Sequence, residues 1–187
     1  MSKAIADLMN EHEAILSAIQ IMGRMVAAME TTAPVDTTDI YDFIGFLKEF
    51  ADKCHHGKEE GLLFPAMIRA GVPETGGPIS VMLAEHAQGR KLIHEMEEAI
   101  ATDVNLVKLA QAEKDYAHLL RNHIQKENWA LFPMAEKVLT ETQLETLYIG
   151  FEEHEEKVIG QGRHEALHAM LNSLHEKYPA EENKEDH

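Results

Sequence analysis

The chain is short of cysteine, basic residues, aromatic side chains and helix breakers, and each shortage removes a class of explanation. Its one cysteine, Cys54, cannot form an internal disulfide, so the fold does not depend on an oxidising compartment. Only 17 Lys+Arg stand against 33 Asp+Glu, a formal charge of −16. Such a surface repels phosphate backbones and anionic lipid, so neither nucleic acid nor a membrane is expected as a partner. With 11 Gly and 6 Pro, the chain is neither collagen-like nor low-complexity. Six Phe, 4 Tyr and 1 Trp beside 10 Met favour helix over sheet. No apolar run approaches the roughly 18 residues of a membrane span. The opening Met-Ser-Lys-Ala-Ile-Ala-Asp-Leu lacks the apolar core of a signal peptide, so a soluble, cytoplasmic protein is expected. A length of 187 residues suits a single domain able to bury a full core.

What the chain has in excess is histidine, 12 in all, the side chain most often recruited to transition metals. These residues are placed rather than scattered. Apolar periodicity predicts helices over about 3–29, 39–70, 79–101 and 104–138, the second capped by one of the threonines before Asp39. The stripe Ile5, Leu8, Ile15, Ile19, Met22, Val26 skips a position that His12 fills. Ile40, Ile44, Leu47 and Ala51 lead to His55 and Glu59. His86 stands among Ile79, Met82, Leu83, Ile93, Met96 and Ile100, and Leu109, Tyr116 and Leu120 precede His123, with Glu127 and Ala130 on the same face. Short connections favour antiparallel neighbours. The expected architecture is all-α: an antiparallel up-down-up-down four-helix bundle over 1–138, with a C-terminal helical extension over 139–178. That extension is expected to begin after Thr140 and to bend or split at Gly160 and Gly162. Residues 31–38 read as a loop, and 179–187 as a disordered acidic tail.

The strongest signal is an internal repeat. Residues 55–65 and 123–133 both fit His-x-x-Lys-Glu-x-x-x-Leu-Phe-Pro, and each copy is preceded one helix earlier by a Glu-His pair, Glu11-His12 and Glu85-His86. Residues four apart share a helix face, so His55 with Glu59, and His123 with Glu127, can grip a metal from one side. Four His and two Glu converging in a core describe a nitrogen and carboxylate site for borderline transition metals. If both carboxylates bridge, the six side chains supply about eight of the twelve positions of two octahedral ions. An oxo or hydroxo bridge would take two more, leaving about one open position per metal.

On these residues the sequence resembles the hemerythrin-like, or HHE cation-binding, family. The resemblance spans residues 1–138 and rests on Glu11-His12, His55-x-x-x-Glu59, Glu85-His86, His123-x-x-x-Glu127 and both Leu-Phe-Pro segments. It implies a four-helix bundle around a non-heme di-iron centre, with His12, His55, Glu59, His86, His123 and Glu127 as ligands. It also implies a role in binding or sensing oxygen, peroxide or nitric oxide, with di-iron peroxidase or oxidase chemistry and iron homeostasis as alternatives. A sensor of this kind would act through a second copy or a separate signalling partner. The oxygen carriers of the family have a second His where this chain has Arg90, and end in His-x-x-x-x-Asp rather than His-x-x-x-Glu. Arg90 is therefore expected to favour an anionic ligand over neutral oxygen.

Other residues take lesser roles in this reading. His56 is a flanking residue or a seventh ligand, and Glu60 an orienting carboxylate for a ligand imidazole. Cys54 is a small buried residue, and Lys58 and Lys126 snorkel or screen the acidic site. His164-Glu165-x-x-His168 matches a zinc-peptidase motif, but the 19 residues that follow leave little room for a third-ligand helix, and an extra helix lying across the bundle is expected instead. Glu153 and His154 are candidates to cap the metal site, and Trp129 and Tyr116 to wall it from water. Met9, Met22, Met25, Met29, Met67, Met82, Met96 and Met134 read as adaptable core.

Overall fold

The computed structural model describes residues 1–31 and 35–180 and contains no strand among them. Its helices are α1 (Lys3–Glu30), α2 (Thr37–Phe46), α3 (Phe64–Arg69), α4 (Pro78–Ile100), α5 (Leu106–Lys126), α6 (Phe132–Val138), α7 (Glu141–Val158) and α8 (Arg163–Lys177). Between α2 and α3 the chain stays helical through two widened π-type stretches, Leu47–His56 and Glu59–Leu63. A third, Glu127–Leu131, joins α5 to α6. Residues 37–69 and 106–138 are thus each one unbroken rod, close to the expected spans.

Local chemistry sets the ends of these elements. Ser2 caps α1, its hydroxyl accepting from Ile5 N–H, and Asn105 caps α5 through Lys108 N–H. The second rod is capped by Asp36, which accepts from Thr38 N–H, and not by a threonine. Thr37 and Thr38 consequently lie inside the helix, and the predicted loop is shorter than its composition suggests. Residues 32–34 of that loop, and 181–187 of the predicted tail, lie outside the described residues. Thr140 and Gln143 form a reciprocal capping box at α7. Gly160 and Gly162, at φ 86° and 75°, split the extension into α7 and α8.

The core is in two pieces. One apolar cluster gathers Ile15, Ile19, Met22, Phe43, Phe46, Phe50, Met96, Tyr116 and Leu120 with Leu167, Leu171 and Leu174 of α8. The other gathers Ile5, Leu8, Leu63, Phe64, Met67, Ile79, Phe132 and Ala135 with Leu144, Leu147 and Phe151 of α7. The layer between them is buried but polar: Glu11, His12, His55, His56, Lys58, Glu59, His86, His123 and Glu127. The extension thus packs on both core clusters, one helix to each. Of the expected stripe positions, Leu83 and Ala130 turn out to be exposed. Ala130 follows the Glu127 turn, whose wider π pitch rotates it off the buried face and brings Leu131 inward. No helix among the described residues is long and apolar enough to cross a membrane.

Candidate metal centre

The repeat explains the local backbone. Proline has no N–H, and its ring crowds the carbonyl four residues back, so a proline inside a helical rod forces the preceding turn to adjust. Before Pro65 and Pro133 the helix opens to π geometry, with Phe64 N–H bonding to Glu59 O and Phe132 N–H to Glu127 O. Each widened turn therefore starts at one of the two candidate glutamates. The phenylalanine of each Leu-Phe-Pro crosses to the other half of the chain. Phe64 stacks on His86 with centroids 5.9 Å apart, and Phe132 on His12 at 5.3 Å.

All six predicted ligands are buried and converge. His12 and His55 present Nε2 atoms to each other at 3.0 Å, and His86 and His123 do so at 3.2 Å. The carboxylates span these two pairs. Glu59 lies 3.8 Å from His55 Nε2 through Oε1 and 3.3 Å from His86 Nε2 through Oε2. Glu127 lies 3.2 Å from His123 Nε2 through Oε1 and 3.2 Å from His12 Nε2 through Oε2. Each glutamate so reaches the histidine of its own motif and the lone histidine of the other half.

Outward-facing nitrogens are all engaged. His55 Nδ1–H donates to Glu11 at 2.8 Å, His123 Nδ1–H to Glu85 at 3.0 Å, His86 Nδ1–H to Glu60 at 2.7 Å and His12 Nδ1–H to Asn128 at 2.8 Å. Such bonds fix the tautomer that leaves each Nε2 lone pair free for a cation and raise its basicity. The Glu of each Glu-His pair thus serves the histidine of the following motif rather than its own neighbour. The motif lysines secure those glutamates, Lys58 on Glu11 and Lys126 on Glu85.

The residues fit a metal on their own chemistry. Both oxygens of Glu59 and of Glu127 are buried without a hydrogen-bond partner among the described residues, an arrangement that costs several kcal/mol per ion unless a cation answers it. Two nitrogens at about 2.1 Å from one ion and at right angles stand about 3 Å apart, as each histidine pair does. Without a cation, protons must do this work. Burial pulls His86 down, but the Glu59 carboxylate facing its Nε2 at 3.3 Å and the hydrogen bond to Glu60 outweigh it and raise its pKa to about 9. His12 and His123 are likewise raised by Glu127 against burial. Burial pushes Glu127 up, yet His12 and His123 hold it well below the usual carboxylate range. His55, by contrast, is pushed down to about 3 by burial, and His56 is lowered by burial and by His86.

Two groups of candidate ligands emerge here, His12, His55, Glu59, Glu127 and His56, Glu59, His86, His123, within each of which the donor atoms lie within 4.8 Å of one another. His56 is thus inside the cluster, stacked on His86 at 3.9 Å, and not merely beside it. Glu60 takes the orienting role expected of it. Arg90 does not. Its guanidinium turns outward to Asp52 and Glu60, at 2.7 Å each, and its charge is spent on those carboxylates rather than offered to a bound anion. Trp129 is 80% exposed and walls nothing, because it sits on the outer side of the widened turn. Tyr116 is buried. Glu153 is exposed, and His154 bonds to Lys53 O, so neither caps the site. His164 and His168 pack against each other and Phe50, and belong to no group of three candidate ligands among the described residues. The contributions of Asn128, Glu85 and Glu11 went unread in the sequence, although the repeated Glu-His pairs signalled two of the three.

Two helices that each bring an inward His, and two rods that each bring His-x-x-x-Glu, arranged around carboxylates without hydrogen-bond partners, define a cation-binding protein. Residues 3–135 match the hemerythrin HHE cation-binding domain, and the chain belongs to that family. No curated protein and no solved structure matches it.

Proposed function

We propose that the chain holds two non-heme iron ions in an antiparallel four-helix bundle over 1–138, extended by 139–178, and that it binds or senses oxygen, peroxide or nitric oxide there. The observation that carries this reading is the set of four donorless carboxylate oxygens lying between four inward Nε2 atoms. His12 and His55 form one position and His86 and His123 the other, with Glu59 and Glu127 common to both. His56 adds a nitrogen at the second position. The bundle topology is supported by the sharing of core clusters: Met22 lies with Phe43 at one end, and Ile5 with Met67 at the other.

Iron bound here would supply redox activity and open coordination positions. The chain's own part is to orient four imidazoles through Glu11, Glu60, Glu85 and Asn128, and to exclude water with Phe64 and Phe132. Metal analysis with optical spectroscopy tests the reading. About two irons per chain are expected, falling below one in Glu59→Ala or Glu127→Ala. A single zinc that survives both changes and is lost in His164→Ala would overturn it. Anaerobic ferrous protein should then give a reversible absorption change with oxygen or nitric oxide, whereas sustained peroxide turnover would make the site an enzyme's.

A further inference from the structure

The two halves of the repeat differ at His56, which Ile124 replaces in the second copy, and they differ again at the motif lysine. Lys126, which holds Glu85, is 45% exposed, whereas Lys58, which holds Glu11, has no exposure at all. The cover over Lys58 is the C-terminal extension. Glu155 of α7 meets its ammonium at 3.1 Å, beside Asp7 at 3.0 Å and Glu11 at 2.7 Å, so the three N–H donors of the lysine face three carboxylates. His154, next to Glu155, bonds to Lys53 O at 3.0 Å, and its ring lies so close to Gly57 that an added Cβ would stand 2.6 Å from it. The adjoining group of Glu11, Cys54 and Glu155 has the make-up of a cation site, but the lysine ammonium already bonds both carboxylates. A chain of contacts Glu155–Lys58–Glu11–His55 therefore runs from α7, outside residues 3–135, to one of the two histidine pairs.

We propose that α7 is a working part of the metal centre: Glu155 and Lys58 are positioning residues that set the affinity of the His12/His55 cation position and make it unequal to the His86/His123 position. The inference rests on the two-cation reading above. Its physical basis is the bond from His55 Nδ1–H to Glu11, because the more charge that carboxylate keeps, the stronger a donor the opposite nitrogen becomes. Lys58 draws charge from Glu11, and Glu155 shares the lysine and offsets it. With Glu155 neutral, the ammonium acts on Glu11 less divided, and His55 weakens as a ligand. The buried path is poorly screened, whereas water screens the Lys126 path. Linkage is reciprocal: whatever Glu155 adds to cation affinity, the cation adds to the docking of α7.

The test is Glu155→Gln in the full chain, a change at a quarter-exposed side chain, with exposed Glu152→Gln on the same helix as control. Anaerobic ferrous ion is titrated against a competing chelator, and hydrogen exchange of α7 is followed with and without it. One equivalent should weaken about fivefold in Glu155→Gln, below the roughly tenfold low end for a residue that bonds a metal-bound histidine directly, and the other stay within twofold. Loading should slow α7 exchange in the wild type and in Glu152→Gln, and do so less in Glu155→Gln. Two equivalents bound with unchanged affinity in Glu155→Gln, or both weakened alike, would overturn this inference alone. A wild-type chain that takes up no ferrous ion would overturn it together with the reading beneath it.

Discussion

Glu59 and Glu127 are buried without a hydrogen-bond partner among the described residues, and His86, whose Nε2 faces Glu59 at 3.3 Å, is raised to about 9 while His55 is depressed to about 3. Opposite shifts within one cluster give the metal-free protein a stability optimum. The protonated His86 contributes stability that is complete below its unfolded pKa of about 6.5 and is lost as pH rises through about 9. The neutral His55 contributes stability that is present above about 6.5 and is lost as pH falls through about 3. Chemical denaturation of metal-free protein should therefore show greatest stability near pH 6–7 and decline on both sides. A cation must displace the His86 proton, so binding should release protons at pH 7 and tighten as pH rises towards about 9. Calorimetry in buffers of different ionisation enthalpy measures that release, and no release would argue against His86 as a ligand.

Among the elements, the widened turns before Pro65 and Pro133 set where each glutamate points. The sequence makes helices, caps and the repeat readable because each depends on neighbours three or four residues away: the Gly160–Gly162 break and the Thr140 start follow from local chemistry alone. Apolar spacing assumes a constant pitch and so does not disclose the π turns; Pro65 and Pro133 signal two of them, and Leu47–His56 has no such mark. Arg90 was misread for a related reason. Its spacing from His86 places it near the site, but its direction is decided by Asp52 and Glu60 on another rod. The proline account predicts that Pro133→Ala, by restoring a donor, lets the turn tighten and shifts Glu127. Metal affinity, measured by chelator competition, should fall tenfold or more while metal-free stability changes by no more than about 1 kcal/mol. Gly162→Ala places a side chain at φ 75° and should cost about 1 kcal/mol in thermal unfolding, with metal affinity unchanged.

For the whole molecule, a buried polar layer lies between two apolar clusters, and the extension packs on both. What the sequence could not disclose at this scale is the role of residues 139–178, since Glu155 meets Lys58 only through tertiary packing. A cluster built of mutually repelling carboxylates and facing lone pairs should gain from any cation it binds. At a free concentration 100 times the dissociation constant, one site adds about 2.7 kcal/mol, which for a chain of this size raises Tm by about 5–10 °C. Thermal unfolding with and without ferrous ion checks this, and chelation should reverse it.

The most direct test is anomalous diffraction at the iron edge on crystals of the loaded protein. Two peaks about 3.5–4 Å apart are predicted, one beside His12 and His55 and the other beside His86 and His123, with density from Glu59 and Glu127 reaching both. A lone peak, or peaks elsewhere such as at His164 and His168, would contradict the account.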